Sequence, residues 1–141
     1  MIVFLDTSAL VKLYVEEEGS SAVAASARGS EVLAVCRIAC VELMSALARR
    51  AREQPQDAAA IELARRRFAA DWPRYLIVET TQPLVEMAGD YTDTFALRAY
   101  DALQLAAVQC VHAQVPGEVK FACFDARLVK AARVLGVEAA I

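Results

Sequence analysis

The sequence has few of the residues from which zinc sites and hydrolase triads are built. It has one histidine, His112, and no C-x-x-C pair of cysteines, so a zinc site of the common type is not expected. No serine or cysteine accompanies His112 in a triad pattern, and a structural role is the simpler interpretation of this residue. The four cysteines lie among apolar residues and are expected to be small core residues: Cys36, Cys40, Cys110 and Cys123.

Glycine-rich loops and long apolar runs are also absent. The five glycines are scattered and form no phosphate-binding loop, which excludes nucleotide hydrolysis of that type. No apolar run reaches the roughly 18 residues that a membrane span needs, and no basic segment precedes the apolar N-terminal residues. We therefore expect a cytoplasmic protein that does not interact with a membrane. The net charge of −3 argues against broad electrostatic binding of nucleic acid but leaves room for a local basic patch.

What the chain does have is a regular alternation of short apolar strands with helices. With 141 residues, no repeat and no Pro/Gly-rich linker, residues 1–141 are expected to form a single domain. The predicted strands are "IVFL", "EVLAVCRI", "YLIVET", "VKFACF" and a final edge strand "VEAAI". Between the first two, "SALVKLYVEEEGS" is predicted to be a helix ending near Gly19, followed by a second helix. This alternation predicts an α/β fold, a Rossmann-like α/β/α sandwich with a mostly parallel central sheet.

Two aspartates follow predicted strands directly, and two further acids interrupt apolar helices. Asp6 comes after "IVFL" and Asp125 after "VKFACF", so the sheet would bring both to the edge where ligands bind in such folds. Glu42 and Asp101 lie near helix starts, within "VELMSAL" and "RAYDALQLAA". Each acid could simply cap a helix or compensate its dipole. However, buried acids are rare unless they are paired or bind a metal, which favours a shared site.

Such a group of carboxylates needs a cation or protons. Two carboxylates 4 Å apart repel by about 4 kcal/mol at an effective dielectric of 20, so four cannot all stay ionised unaided. Because all the ligands would be oxygens, the expected ion is Mg²⁺ or Mn²⁺. Such an ion lowers the pKa of a bound water and turns the repulsion of a phosphodiester into attraction.

Four segments of the chain resemble the signature segments of the PIN domain, and more narrowly those of VapC toxins from toxin–antitoxin pairs. They are "FLDTSALVKLY", "VELMSALARR", "LRAYDALQLAA" and "FDARLVKAARVLGV", in the family's order and spread over nearly the whole chain. The resemblance implies a Mg²⁺- or Mn²⁺-dependent endoribonuclease. Its acidic quartet would be Asp6, Glu42, Asp101 and Asp125. The family's hydroxyl after the first aspartate would be either Thr7 or Ser8.

The resemblance also implies roles and partners. Asp6 and Asp101 would be the main metal ligands, and Asp125 would complete the metal shell or hold a second ion. Glu42 would position or deprotonate the water that attacks the phosphorus of the RNA substrate in line, leaving a 5′-phosphate and a 3′-hydroxyl. The implied partners are a VapB-like antitoxin, which blocks the site, and a second copy of the chain in a homodimer.

Basic and aromatic residues are weaker candidates for contacts with RNA. Arg49 lies two helical turns after Glu42, and Arg98 precedes Asp101 by three residues, so each could border the acidic site. A solvated helix face is the alternative for the arginines. Trp72 and Tyr75 could stack on a base, although an aromatic pair before a strand is more often core.

Two other functions are compatible with the sequence. Asp6 after the first strand could be the nucleophile of an aspartate-based phosphoryl-transfer enzyme. In the haloacid-dehalogenase-like pattern a second aspartate follows two residues later, and here that position is Ser8. The other rival is a non-catalytic RNA- or protein-binding module that keeps the fold, which the presence of all four acids argues against.

Overall fold

The computed structural model describes residues 1–141, and its centre is a five-stranded sheet in which every pairing is parallel. The strands are β1 (Ile2–Leu5), β2 (Val32–Cys36), β3 (Leu76–Val78), β4 (Val119–Ala122) and β5 (Glu138–Ala139). Their order across the sheet is β3-β2-β1-β4-β5. The α/β fold class is confirmed, and the last strand lies at an edge as expected.

Seven α-helices connect and flank these strands. They are α1 (Thr7–Leu10), α2 (Ser20–Arg28), α3 (Ala39–Glu53), α4 (Ala58–Asp71), α5 (Gln82–Thr94), α6 (Ala99–Gln114) and α7 (Ala126–Val134). Single 3₁₀ turns occur at Val11–Leu13, Pro55–Asp57 and Trp72–Arg74. None of the helices combines the length and the apolar character that crossing a membrane requires.

The helices form one layer on each face of the sheet, because alternate strand residues point to opposite faces. On β1, Phe4 belongs to the core that includes residues of α5, α6 and α7. Its neighbours Val3 and Leu5 belong to the core formed with α1, α2, α3 and α4. Both faces of the central strands are therefore buried, which explains why they read as continuous apolar runs.

The prediction of one helix over residues 8–20 was wrong, because the helix in the structure is much shorter. Helix α1 ends at Leu10, and one 3₁₀ turn carries the chain only to Leu13. Three consecutive glutamates would have stood at the C-terminal end of the longer helix, where the helix dipole disfavours negative charge. Instead, Ser20 closes a turn by accepting a hydrogen bond from the Glu17 N–H and donating one to the Val15 carbonyl.

The aromatic residues before β3, Trp72 and Tyr75, are half-buried and pack against the core. Trp72 packs on Phe68 with ring centroids 5.3 Å apart. The Tyr14 hydroxyl donates to Asp71 Oδ2 at 3.0 Å and lies 2.6 Å from the Tyr75 hydroxyl. Burial, reinforced by these partners, raises the pKa of Tyr14 far above its usual range. This group ties α4 and β3 to the segment after α1.

The strand order fixes where a ligand site would form. From β1 the chain moves outward through β2 and β3, then returns to place β4 on the other side of β1. Ligands in open α/β sheets bind at this kind of switch point, beyond the carboxyl ends of the strands. Asp6 follows β1 and Asp125 lies just after β4, so both aspartates lie at the switch point.

Candidate active site

Asp6 is the buried centre of the site, with only 5% of its surface exposed. Its Oδ1 accepts hydrogen bonds from the Ser8 hydroxyl at 2.6 Å and from the Ala9 N–H at 3.0 Å, which caps α1. Its Oδ2 accepts one from the Cys123 thiol at 2.9 Å. Burial raises the pKa of Asp6, and the three donors oppose that rise by favouring the ionised form. The residue therefore caps a helix and is also a perturbed acid at a strand end.

The hydrogen bonds of Asp6 leave one direction open. Each carboxylate oxygen can accept two hydrogen bonds, so Oδ1 is filled by its two donors. Oδ2 has a single donor, the Cys123 thiol, and keeps one acceptor position. Asp6 can thus bind a cation through Oδ2 without giving up any hydrogen bond seen in the structure.

Asp125 is an exposed acid that caps α7. Its Oδ1 accepts from the N–H groups of Arg127 at 2.9 Å and Leu128 at 3.2 Å. Its Oδ2 has no hydrogen-bond partner in the protein. Like Asp6, this residue combines a capping oxygen with one oxygen free for another ligand.

Asp101 connects the other two aspartates electrostatically. Burial raises its pKa, the charge of Asp125 raises it further, and the nearby Arg98 guanidinium lowers it. The charge of Asp101 also adds to the effect of burial on the pKa of Asp6. Asp101 is therefore repelled by both of the other carboxylates, and Arg98, which lies just before α6, is the basic residue that offsets part of this repulsion.

Glu42 is held by two side chains from other helices. Its Oε1 accepts from the Thr7 hydroxyl at 2.8 Å and from the Gln104 amide at 2.9 Å. Both candidate hydroxyls thus face the site, because Thr7 contacts Glu42 while Ser8 contacts Asp6. An open cavity of about 340 Å³ lies beside Glu42, lined also by Val41, Ser45 and Tyr100.

Arg49 lies apart from this group. It pairs with Glu53 one helical turn further along α3, with Nε 3.0 Å from Oε1, and both side chains are largely exposed. No hydrogen bond or ion pair joins it to any of the four acids. In the structure, Arg49 therefore lies on a solvated helix face, which was the alternative to a contact with RNA.

Two residues of the site were missed by the sequence reasoning. Cys123, expected to be a core cysteine, is buried but contacts Asp6 and also accepts from the Asp125 N–H at 3.3 Å. Gln104 is 2% exposed and contacts Thr7 and Glu42. Their spacing from the acids could have indicated both residues. Cys123 lies two residues before Asp125, and Gln104 lies one helical turn after Asp101 in an otherwise apolar stretch.

The donor set suits a hard divalent cation, although no coordination shell is already formed. No three His, Cys, Asp or Glu side chains surround a point at which a metal ion could be held. The oxygens of Asp6, Asp101 and Asp125 are nevertheless the donors that Mg²⁺ and Mn²⁺ prefer. A cation would also relieve the repulsion from Asp125, which adds to the effect of burial in raising the pKa of Asp101. The chemistry of these residues therefore fits such an ion.

Comparisons with known proteins agree with this fold. A model of the PIN domain family matches residues 3–134. Ribonuclease VapC45 of Mycobacterium tuberculosis is 34% identical over 139 residues, which cover 99% of this chain and 94% of that protein. A toxin–antitoxin complex from Klebsiella pneumoniae aligns with a TM-score of 0.66 at 16% identity, covering 99% of this chain and 98% of that one. FitAcB from Neisseria gonorrhoeae aligns with a TM-score of 0.69 at 15% identity, covering 97% and 95%.

Proposed function

Because the chain belongs to the PIN domain family, we propose that it is a VapC-type ribonuclease, the toxin of a toxin–antitoxin pair. Its reaction is the metal-dependent cleavage of RNA phosphodiester bonds within the strand. The observation that carries the proposal is geometric: Asp6 and Asp125 follow neighbouring strands at the switch point, where the Cys123 sulfur contacts both, and the Thr7 hydroxyl beside Asp6 holds Glu42. The charge of Asp101 acts on both aspartates. The whole chain, residues 1–141, acts as one PIN domain.

The aspartates are the proposed metal ligands. Asp6 would bind the ion through the open acceptor position on its Oδ2, and Asp125 through its unpartnered Oδ2. Asp101 would bind it through its half-buried carboxylate, whose pKa is raised in part by the charge of Asp125. When bound, Mg²⁺ or Mn²⁺ supplies a water of lowered pKa and a positive centre for the phosphate. Thr7 and Ser8 support the site by donating to Glu42 and Asp6, and Arg98 by partly neutralising Asp101.

Glu42 is the proposed group that positions or deprotonates the attacking water. Its Oε1 already has two donors, so Oε2 is the oxygen that can accept a proton. Attack in line on the phosphorus would release a 3′-hydroxyl and leave a 5′-phosphate on the other fragment. In the rival phosphoryl-transfer mechanism, Asp6 itself would attack the phosphorus as a nucleophile. Asp6 is poorly suited to that role because it is buried and its Oδ1 accepts two hydrogen bonds.

The proposed protein partners are a VapB-like antitoxin and a second copy of this chain. One structurally similar protein is itself described as part of a toxin–antitoxin complex. On this chain, large apolar side chains stay exposed next to the acidic site, with Val41 at 59% and Tyr100 at 58% of their surface. Exposed apolar side chains beside an active site are suited to being covered by a partner. A cytoplasmic location remains a prediction.

A cleavage assay with controlled metal tests the proposed function. The protein, purified free of any partner, is incubated with a mixture of transfer, ribosomal and messenger RNA in Mg²⁺, in Mn²⁺ and in EDTA. The proposal predicts discrete cleavage products with either ion, none with EDTA, and 5′-phosphates on the new ends. Well-folded protein that neither cuts RNA nor binds Mn²⁺ would instead be a non-catalytic binding module.

A further inference from the structure

Gln104 closes a ring of three hydrogen bonds with Thr7 and Glu42. Its Nε2 donates to Glu42 Oε1 at 2.9 Å and to Thr7 Oγ1 at 3.2 Å. The Thr7 hydroxyl donates to the same Glu42 oxygen at 2.8 Å. The three residues come from α6, α1 and α3, and the ring therefore fixes the Glu42 side chain relative to two other helices.

The ring determines which oxygen of Glu42 is free. Oε1 accepts two hydrogen bonds and is saturated. Oε2 has no hydrogen-bond partner in the protein, yet it is not among the buried side-chain atoms that lack one, so it reaches solvent. Glu42 also lines the open cavity with Val41, Ser45 and Tyr100. The carboxylate thus presents one defined oxygen to the side from which a substrate or water can arrive.

Core packing alone does not explain a glutamine at position 104. The side chain is 2% exposed, and its Oε1 is buried with no donor. A buried acceptor left without a hydrogen bond is destabilising, and buried polar groups are rarely left so. Leucine would fill a similar volume in this apolar helix without that cost. The unfavourable carbonyl accompanies an amide nitrogen that donates to both Thr7 and Glu42.

We propose that Gln104 is a positioning residue for RNA cleavage, which holds the Glu42 carboxylate with Oε2 directed at the attacking water. The proposal rests on the proposed function, since it assigns Gln104 a role through Glu42. A positioning role for Gln104 can be distinguished from a purely structural role by one consequence. Loss of the amide should lower the rate of the bond-breaking step while the fold, the binding of Mn²⁺ and the binding of RNA stay unchanged.

The first test compares Gln104→Leu with Gln109→Leu. Gln109 lies on the same helix, also has a buried Oε1 without a donor, and makes no side-chain hydrogen bond to the acids, so it is a matched control. With the RNA that the wild type cuts fastest, Gln104→Leu should lower kcat by about 10- to 100-fold at unchanged KM, the usual range for residues that support a metal site. Gln109→Leu should keep the wild-type kcat. Neither variant should lose Mn²⁺ affinity by calorimetry or melt more than about 3 °C below the wild type.

A double-mutant cycle tests whether Gln104 affects the cleavage rate through Glu42 or independently of it. In the Glu42→Ala background, measured at single turnover with excess protein, adding Gln104→Leu should change the rate less than twofold. Equal kcat values for the two glutamine variants, or a full extra loss in the Glu42→Ala background, would overturn the role of Gln104. If the wild type itself cuts no RNA while binding no metal, the proposed function fails and this inference fails with it.

Discussion

The Cys123 thiol donates to Asp6 Oδ2 at 2.9 Å, and the same sulfur accepts a hydrogen bond from the Asp125 N–H at 3.3 Å. One buried sulfur therefore joins the acid after β1 to the acid after β4, across the switch point of the sheet. Burial raises the pKa of Cys123 far above its usual range, and the charge of Asp6 adds to this, so the sulfur keeps its proton and serves as a donor. This contact orients the oxygen of Asp6 that has room for a cation.

Replacing Cys123 by alanine should weaken metal binding, whereas serine should preserve it. Alanine removes a donor that favours the ionised form of Asp6, so the pKa of Asp6 rises and fewer molecules offer a charged ligand. We expect a 10- to 100-fold loss of Mn²⁺ affinity, roughly the effect of losing a supporting hydrogen bond around a metal site. Calorimetric Mn²⁺ titration measures it, with Cys110→Ala as the control. Wild-type affinity in Cys123→Ala would show that the thiol is irrelevant to the site.

The metal-free protein should lose stability as the pH rises past the ordinary aspartate pKa of 3.8. Because the folded-state pKa of Asp6 is raised, the folded protein holds a proton that the unfolded chain releases first, and stability falls until the folded pKa is passed. Asp6→Asn should therefore become progressively more stable than the wild type in urea unfolding as the pH rises above the ordinary aspartate pKa of 3.8. Parallel pH profiles for the two proteins would contradict this.

Adding metal should reverse that destabilisation in the wild type alone. A ligand present at 100 times its Kd stabilises the folded state by about 2.7 kcal/mol. We expect Mn²⁺ at that concentration to raise the free energy of unfolding of the wild type by this amount at pH 7. Asp6→Asn should show little response in the same titration. An equal rise in both proteins would place the bound ion elsewhere.

Asp125 should show separable capping and metal roles. Asp125→Asn keeps an oxygen that can accept from the Arg127 and Leu128 N–H groups, so α7 stays capped. Asp125→Ala loses the cap, which costs about 1 kcal/mol of stability. Both variants should lose cleavage activity, but only alanine should lower the urea midpoint. Full activity in Asp125→Asn would limit this residue to capping.

Tyr14 should matter for stability and not for cleavage. Its buried hydroxyl bonds to Asp71 and Tyr75, so Tyr14→Phe leaves polar groups without a partner and should cost about 1–3 kcal/mol. The half-buried Tyr91 makes no hydroxyl hydrogen bond, and Tyr91→Phe is the matched control. Urea unfolding gives the stabilities, and RNA cleavage below the transition should match the wild type. A cleavage defect in Tyr14→Phe would extend the functional region to this cluster.

The sequence was sufficient for the order and type of most elements, because buried parallel strands and amphipathic helices have distinct periods. It failed over residues 8–20, where the helix pattern continues but Ser20 stabilises a turn instead. That outcome depends on a side-chain hydrogen bond and on the anchoring of Tyr14 by Asp71, which lies 57 residues away in the chain. The local periodicity of apolar residues cannot predict a contact between residues so far apart in the chain.

The acids of the candidate site could be proposed from the sequence, and the residues that contact them could not. Asp6 and Asp125 stand out because polar residues end apolar strands, and Asp101 because it interrupts an apolar helix. Cys123 and Gln104 look like core residues in the sequence, since cysteine is often buried and the glutamine stands among Leu and Ala. Their hydrogen bonds are made to partners on other elements, Asp6 on the loop after β1 and Glu42 on α3. Only the assembled fold brings these partners together.

The most direct test of the account is single-turnover RNA cleavage in Mn²⁺ by the wild type, by Asp6→Asn and by Asp93→Asn. Asp93 is an exposed aspartate on α5 and serves as the matched control. We predict that the wild type and Asp93→Asn cut RNA at the same rate, with loss of cleavage in EDTA. Asp6→Asn should be folded and inactive. Cleavage by Asp6→Asn at the wild-type rate would contradict the assignment of the active site.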